Sequence, residues 1–350
     1  MKLKAELKKL SASVGVSGFE QLLAQEIAAL FAPYADEVKI DALGSVIAVK
    51  KSANPNAKKI MLDAHMDEIG LMVTKVDEKG FLKFTTVGGV DERILPSAQV
   101  RVHGRKKLPG VIGVKPPHLQ SDGEDQNSYT IKDLSIDIGY PAAQANELVK
   151  PGDFVSFMKK PHMLKNDFMC GKCMDNRAGV AAVLEAAKAL WKEELDAHVY
   201  YVLSVQEEYN LGGAKTAAYG IGADMALVLD VTHAKTHDNR EGFEAGAGLS
   251  YSIGPNVSPV LEKWICKCAK KLNVPVFPEV DADSTGTNAW SVQTVAEGIA
   301  TAVISIPLKY MHTPTEVLSL ADVERAGMLA TAFVKKAAKS AWEAQVIDIC

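Results

Sequence analysis

The chain has 350 residues, 47% of them hydrophobic and 23% charged, with a formal net charge of −4 and a pI near 6.1. That length suits one large core plus a smaller unit, and the composition is that of a folded globular protein rather than a disordered or collagen-like one. The slight negative charge supplies no basic field for nucleic acid or an anionic membrane surface, and no stretch approaches the roughly 20 apolar residues that a membrane span requires.

Met1 to Leu10 is lysine-rich with no apolar core, so it reads as a surface helix rather than a secretory signal, and the expected location is cytoplasmic. Residues 19–32 carry apolar positions at helical spacing, and Val38 to Lys50 alternates as an edge-type strand pair around Gly44. Lys59 to Ala64 is a short apolar strand of the kind covered on both faces. Beyond Gly70 come the short β-type segments Leu71 to Lys75, Phe81 to Val87, Gln99 to His103, Gly110 to Val114 and Asp153 to Met158. Asp77-Glu78-Lys79-Gly80 gives the clearest hairpin signal, and Ser121 to Ser128 is a polar, acidic loop. Residues 70–163 therefore form a small all-β unit, whose sheet edges would need cover and make it the expected subunit contact.

Helical periodicity returns at Ala178 to Trp191, followed by a strand at 199–205, a helix near 213–219 and a strand at 225–230. A helix at 259–272, a strand at Thr301 to Ile306 and a long helix from Ala321 to about Ala341 complete the alternation. The expected fold is α/β: a mixed-sheet domain covered by helices, formed by residues 1–69 and 164–350, with the all-β unit inserted at 70–163. Five cysteines, an odd number without a signal, read as reduced thiols, and Cys170-Gly171-Lys172-Cys173 lacks the second half of a zinc site.

The chemistry lies in residues at element ends. His65 and Asp67 follow the strand near 60–64, Glu207 and Glu208 follow the strand at 199–205, Asp175 opens a helix, Asp230 ends a strand, and His312 lies just past one. Open α/β sheets bind ligands beyond the carboxyl ends of their strands. Taken singly, Asp175 is an ordinary helix cap and each histidine an ordinary core residue; with Asp67 set aside, the two histidines, two aspartates and two glutamates at element ends are hard to ascribe to chance. Imidazoles and carboxylates without thiolate suit a hydrolytic site of two Zn²⁺, Co²⁺ or Mn²⁺ ions, Zn²⁺ or Co²⁺ foremost, with Asp175 as the best candidate bridge. A cation pair lowers the pKa of water toward about 7, one of the adjacent glutamates can take its proton, and Asp67 can orient His65.

These stretches resemble the tetrahedral, glutamyl-type aminopeptidases, a family of co-catalytic metallopeptidases. The resemblance rests on GVSGFE at 15–20, DAHMDEIGLMV at 63–73, VIGVKPPH at 111–118, GKCMDNRAG at 171–179, VQEE at 205–208, LDVTHA at 229–234, STGTNAW at 284–290 and YMHTPTE at 310–316. It implies a peptidase domain with an inserted barrel-like, PDZ-like dimerisation domain, usually in a twelve-subunit hollow assembly, acting on peptides with a free N-terminus. It implies His65, Asp175 and Asp230 on one metal, Asp175, Glu208 and His312 on the other, Glu207 as general base, and Asp67 orienting His65. Departures from its pattern are Asn210-Leu211-Gly212-Gly213, Asn288 and Lys309, none a ligand by this mapping. Competing readings are a deacylase on the same scaffold, an endoglucanase-type glycosidase and an inactive scaffold.

Overall fold

The computed structural model describes residues 2–115 and 129–340; the acidic loop expected at Ser121 to Ser128 and the end of the last helix at Ala341 lie outside the described residues. The centre of the larger domain is the parallel set Ala197–Ser204, Lys58–His65, Met225–His233 and Ala300–Lys309, adjacent in that order. Ile60 to His65 is buried without interruption, as expected for a strand with helices on both faces. Antiparallel strands flank this core: Val46–Lys50 and Glu37–Ile40 on one side, Glu316–Ser319, Phe168–Gly171 and His162–Met163 on the other. Leu249–Ile253 also pairs with Ala300–Lys309 and carries Val276–Val280 at its free side, which makes eleven strands among the described residues.

Only half of the pair read as edge-type is an edge. Glu37–Ile40 is largely exposed, whereas Val46–Lys50 is buried at every position between it and Ala197–Ser204. Helices Lys2–Ala12, Gln21–Phe31, Met174–Leu190 and Leu320–Lys339 pack on one continuous apolar core, while Gly212–Ile221 packs with a second cluster that includes Ile47, Met61 and Val202. Met174–Leu190 is rich in alanine, and its small side chains let it lie deep: Gly179 sits so near the neighbouring strand that a Cβ there would meet the Leu229 carbonyl at 2.8 Å. That closeness brings the start of this helix beside Asp230.

Gly70–Val76, Leu82–Val87, Ser135–Asp137, Lys107–Gly113, Gln99–His103 and Phe154–Phe157 close into an antiparallel barrel with its own core around Leu71, Val100, Ile136 and Val155. Closure removes the open edges expected of this unit, so the edge argument for a subunit contact does not hold. The barrel is rooted at the larger domain: its first strand begins five residues after His65, and Phe154 stacks between Phe19 and His103 at centroid distances of 4.6 and 4.2 Å. Cys170, Cys173, Cys266 and Cys268 are free thiols. Cys173 donates to Glu68 at 2.8 Å beside the Lys172 ammonium, which pairs with the same carboxylate at 2.6 Å, so half of the C-x-x-C pair belongs to a buried ionic cluster.

Candidate active site

Two of the parallel strands, Ala197–Ser204 and Lys58–His65, end at one level, because Ser204 pairs with His65, and Val228 of the next strand pairs with Asp63. Continuing that register sets Asp230 beside His65; its strand runs on to His233, so Asp230 lies within the strand rather than at its end. Asp175 leaves helical geometry at the opening of its helix, with φ −75° and ψ 105°, and thus aims its carboxylate over the strand ends. Asn176 pins this opening by donating to the Leu229 carbonyl at 2.8 Å and accepting from the Gly179 amide. Glu207 and Glu208 begin a four-residue helical turn after Gln206, whose φ of 59° turns the chain sharply. His312, at φ 59°, lies in the turn between Ala300–Lys309 and Glu316–Ser319.

These elements bring all six candidate donors together. His65 Nε2 is 3.0 Å from Asp175 Oδ1, 3.8 Å from Asp230 Oδ1 and 3.9 Å from Glu207 Oε2. His312 Nε2 is 3.4 Å from both Asp175 Oδ2 and Glu208 Oε2. Each oxygen of Asp175 thus faces a different imidazole. Donors about 2.0–2.2 Å from a cation in near-tetrahedral array stand roughly 3.3–3.6 Å apart, close to several of these separations. Glu207 groups with His65 and Asp230, so proximity alone leaves it either a ligand or a base.

Charge balance supports the same fit. Burial above all, helped by the neighbouring carboxylates and opposed by His65, pushes Glu207 and Glu208 well above the usual carboxylate range, and Asp230 up to about 7. Asp175 is held low despite its burial because both imidazoles hydrogen-bond it. Four largely buried carboxylates face two rings, an excess of negative charge that a bound cation pair would offset.

Asp67 has a wider role than orienting one ring. Its Oδ1 is 3.4 Å from His65 Nδ1, a long contact, while its two oxygens accept from the Glu207 and Glu208 amides at 3.1 Å each. Two residues that carried no role in the sequence reading complete this frame. Glu20 accepts from the Gln206 amide at 3.1 Å and from the Gly18 amide at 2.8 Å, and its burial raises it to about 7. Glu316 accepts from Met174 at 2.6 Å, Asp175 at 3.2 Å and His312 at 3.0 Å, tying a metal-type aspartate to a metal-type histidine. Both stand in the GVSGFE and YMHTPTE stretches, but only the fold reveals which amides they meet.

The departures are local. Asn288 donates to Asp63 at 2.7 Å and Ser204 at 2.9 Å beneath the site, Asn210 accepts from the Gly212 amide at 2.9 Å, and Lys309 lies 5.8 Å from the centre of the Phe168 ring.

The sequence profile described as M42 glutamyl aminopeptidase matches residues 44–329. This chain belongs to that family. Membership makes it a hydrolase of aminopeptidase type, and the mixed sheet with its closed six-stranded barrel is the fold of its structural relatives. The chain is 36% identical to the lysyl aminopeptidase of Pyrococcus furiosus over 337 residues, 94% of this chain and 96% of that protein. An aminopeptidase from the archaeon Desulfurococcus kamchatkensis superposes with a TM-score of 0.88 at 33% identity, covering 97% of this chain and 98% of the other. The TET1 peptidase of Pyrococcus horikoshii, described as assembling into a tetrahedron or a large octahedral shell, gives a TM-score of 0.83 at 32% identity over 95% and 99% of the two chains.

Proposed function

We propose that this chain is a dinuclear metal-dependent aminopeptidase that removes N-terminal residues from oligopeptides. The observation that carries the reading is Asp175, whose two oxygens face the two imidazoles within a nest of further carboxylates. His65, Asp175 and Asp230 would hold one divalent ion, and Asp175, Glu208 and His312 the other, with Zn²⁺ or Co²⁺ suited to this donor set. When bound, such a pair polarises the peptide carbonyl and makes water a nucleophile at neutral pH.

The protein's own part is positioning and proton transfer. Glu207, raised by burial and neighbouring charge, takes a proton from the attacking water and returns it to the leaving amine. Asp67 and Glu20 fix the turn that aims it, and Glu316 fixes Asp175 against His312. The match to the M42 glutamyl aminopeptidase family and to aminopeptidase relatives favours an aminopeptidase over a deacylase. A glycosidase needs only two carboxylates about 5–9.5 Å apart and has no use for imidazoles at these distances. The assemblies described for TET1 peptidase, a dodecamer and a tetrahedron or large octahedral shell, support a dodecameric shell for this chain; a dimer contact through the barrel rests on the family resemblance alone, and the free thiols suit a cytoplasmic setting.

Turnover of a panel of aminoacyl chromogenic amides by metal-loaded protein tests the reading. Free α-amino substrates should be cleaved and their N-acetylated forms left intact; equal turnover of both would favour a deacylase or endopeptidase.

A further inference from the structure

The barrel reaches into the site through the turn that follows its strand Leu82–Val87. The Gly89 carbonyl oxygen lies 3.0 Å from His312 Nδ1. For Nε2 to act as a ligand, the ring must be neutral with its proton on Nδ1, and a carbonyl oxygen, which can only accept, holds that tautomer in place. The turn comes so close that a Cβ at Gly89 would lie 2.8 Å from His312 Nδ1 and 3.0 Å from Cε1. At Gly88, where φ is +79°, a Cβ would stand 3.3 Å from that of Glu208. This approach therefore needs residues without side chains. Among the described residues, no carboxylate stands behind the His312 ring as Asp67 stands behind His65: Glu316 grips its backbone amide and leaves the imidazole to the barrel.

We infer that the inserted barrel completes the catalytic centre, with Gly89 acting as a positioning residue that fixes the tautomer and plane of His312, so that the second cation position depends on how the barrel docks. This rests on the two-metal reading above. It makes the barrel part of the chemistry within a single chain, whatever it does between chains.

Gly89→Ala tests it, because the added methyl meets the end of a side chain that can turn away. Zn²⁺ or Co²⁺ titration of the metal-free full-length protein, with far-UV circular dichroism and thermal unfolding recorded alongside, gives a readout independent of activity. The second equivalent should bind about 10–100-fold more weakly and the first change little, the usual consequence of losing an outer partner of a ligand. In a His312→Ala background, Gly89→Ala should have no further effect. Wild-type affinity for both ions in Gly89→Ala, or equal weakening of both with the metal-free fold intact, would overturn the inference. If Gly89→Ala does not fold, ¹⁵N-histidine spectra of the zinc-loaded wild type decide: a protonated Nδ1 with a ligating Nε2 at His312 supports it, and ligation through Nδ1 rejects it. If the wild type binds fewer than two ions, the two-metal reading itself fails and takes this inference with it.

Discussion

His65 and His312 reach the same aspartate by opposite routes. His65 stands at the end of a buried central strand, is 1% exposed, and has Asp67 two residues along the same chain segment. His312 sits in a turn with its side chain 36% exposed, and its ring is held from another unit by the Gly89 carbonyl. The first half of the site comes with the sheet, whereas the second is put together from a turn, a neighbouring strand and the barrel. Rigidity should therefore differ between them, since a loop position has fewer packed neighbours to define it.

The largest effect expected is from Asp175→Asn, which should weaken binding at both metal positions because the residue serves both halves alike; titration calorimetry reads it, and unchanged affinity for two ions would defeat the bridge. Glu207→Gln should lower kcat on the order of 10²–10⁴-fold, the usual worth of a general base, while two ions stay bound. Loss of an ion from that variant would instead make Glu207 a ligand, which its place beside His65 and Asp230 allows. The comparison itself is sharpened by His65→Ala against His312→Ala: each should empty one position, and limited proteolysis should open the turn around residue 312 only in the second. An indistinguishable digest would erase the contrast in rigidity.

A smaller effect is expected at Glu20. Glu20→Ala leaves the Gln206 amide without its acceptor and should cost about 1–3 kcal/mol in denaturant unfolding, whereas Glu20→Gln keeps an oxygen in place and should lose much less. Equal losses would mean that charge, not the hydrogen bond, holds the turn.

The sheet half was also the more legible half. A continuous apolar run ending in His65, and another ending before Glu207 and Glu208, expose both strand and site through burial on two faces. The αβ alternation was readable for the same reason, and the insert from its short β-type segments set between turn signals. What the sequence reading did not reach depends on partners distant in the chain. Glu316 meets amides at 174 and 175, and Gly89 meets a ring 223 residues away; no spacing announces either. Strands Leu249–Ile253, Phe168–Gly171 and Glu316–Ser319 carry little signal in the sequence, because each is only four or five residues long and takes its pairing from a neighbour rather than from its own pattern. Barrel closure likewise depends on Phe154–Phe157 returning to Gly70–Val76, a long-range pairing that alternation along one strand cannot show.

The account's central claim is that Asp175 joins two cations, one in each half. Anomalous diffraction from crystals of the cobalt- or zinc-loaded protein measures this directly. It should show two peaks roughly 3.5–4 Å apart, one among His65, Asp230 and Asp175, the other among His312, Glu208 and Asp175. A single peak under saturating metal, or two peaks that do not share Asp175, would contradict it.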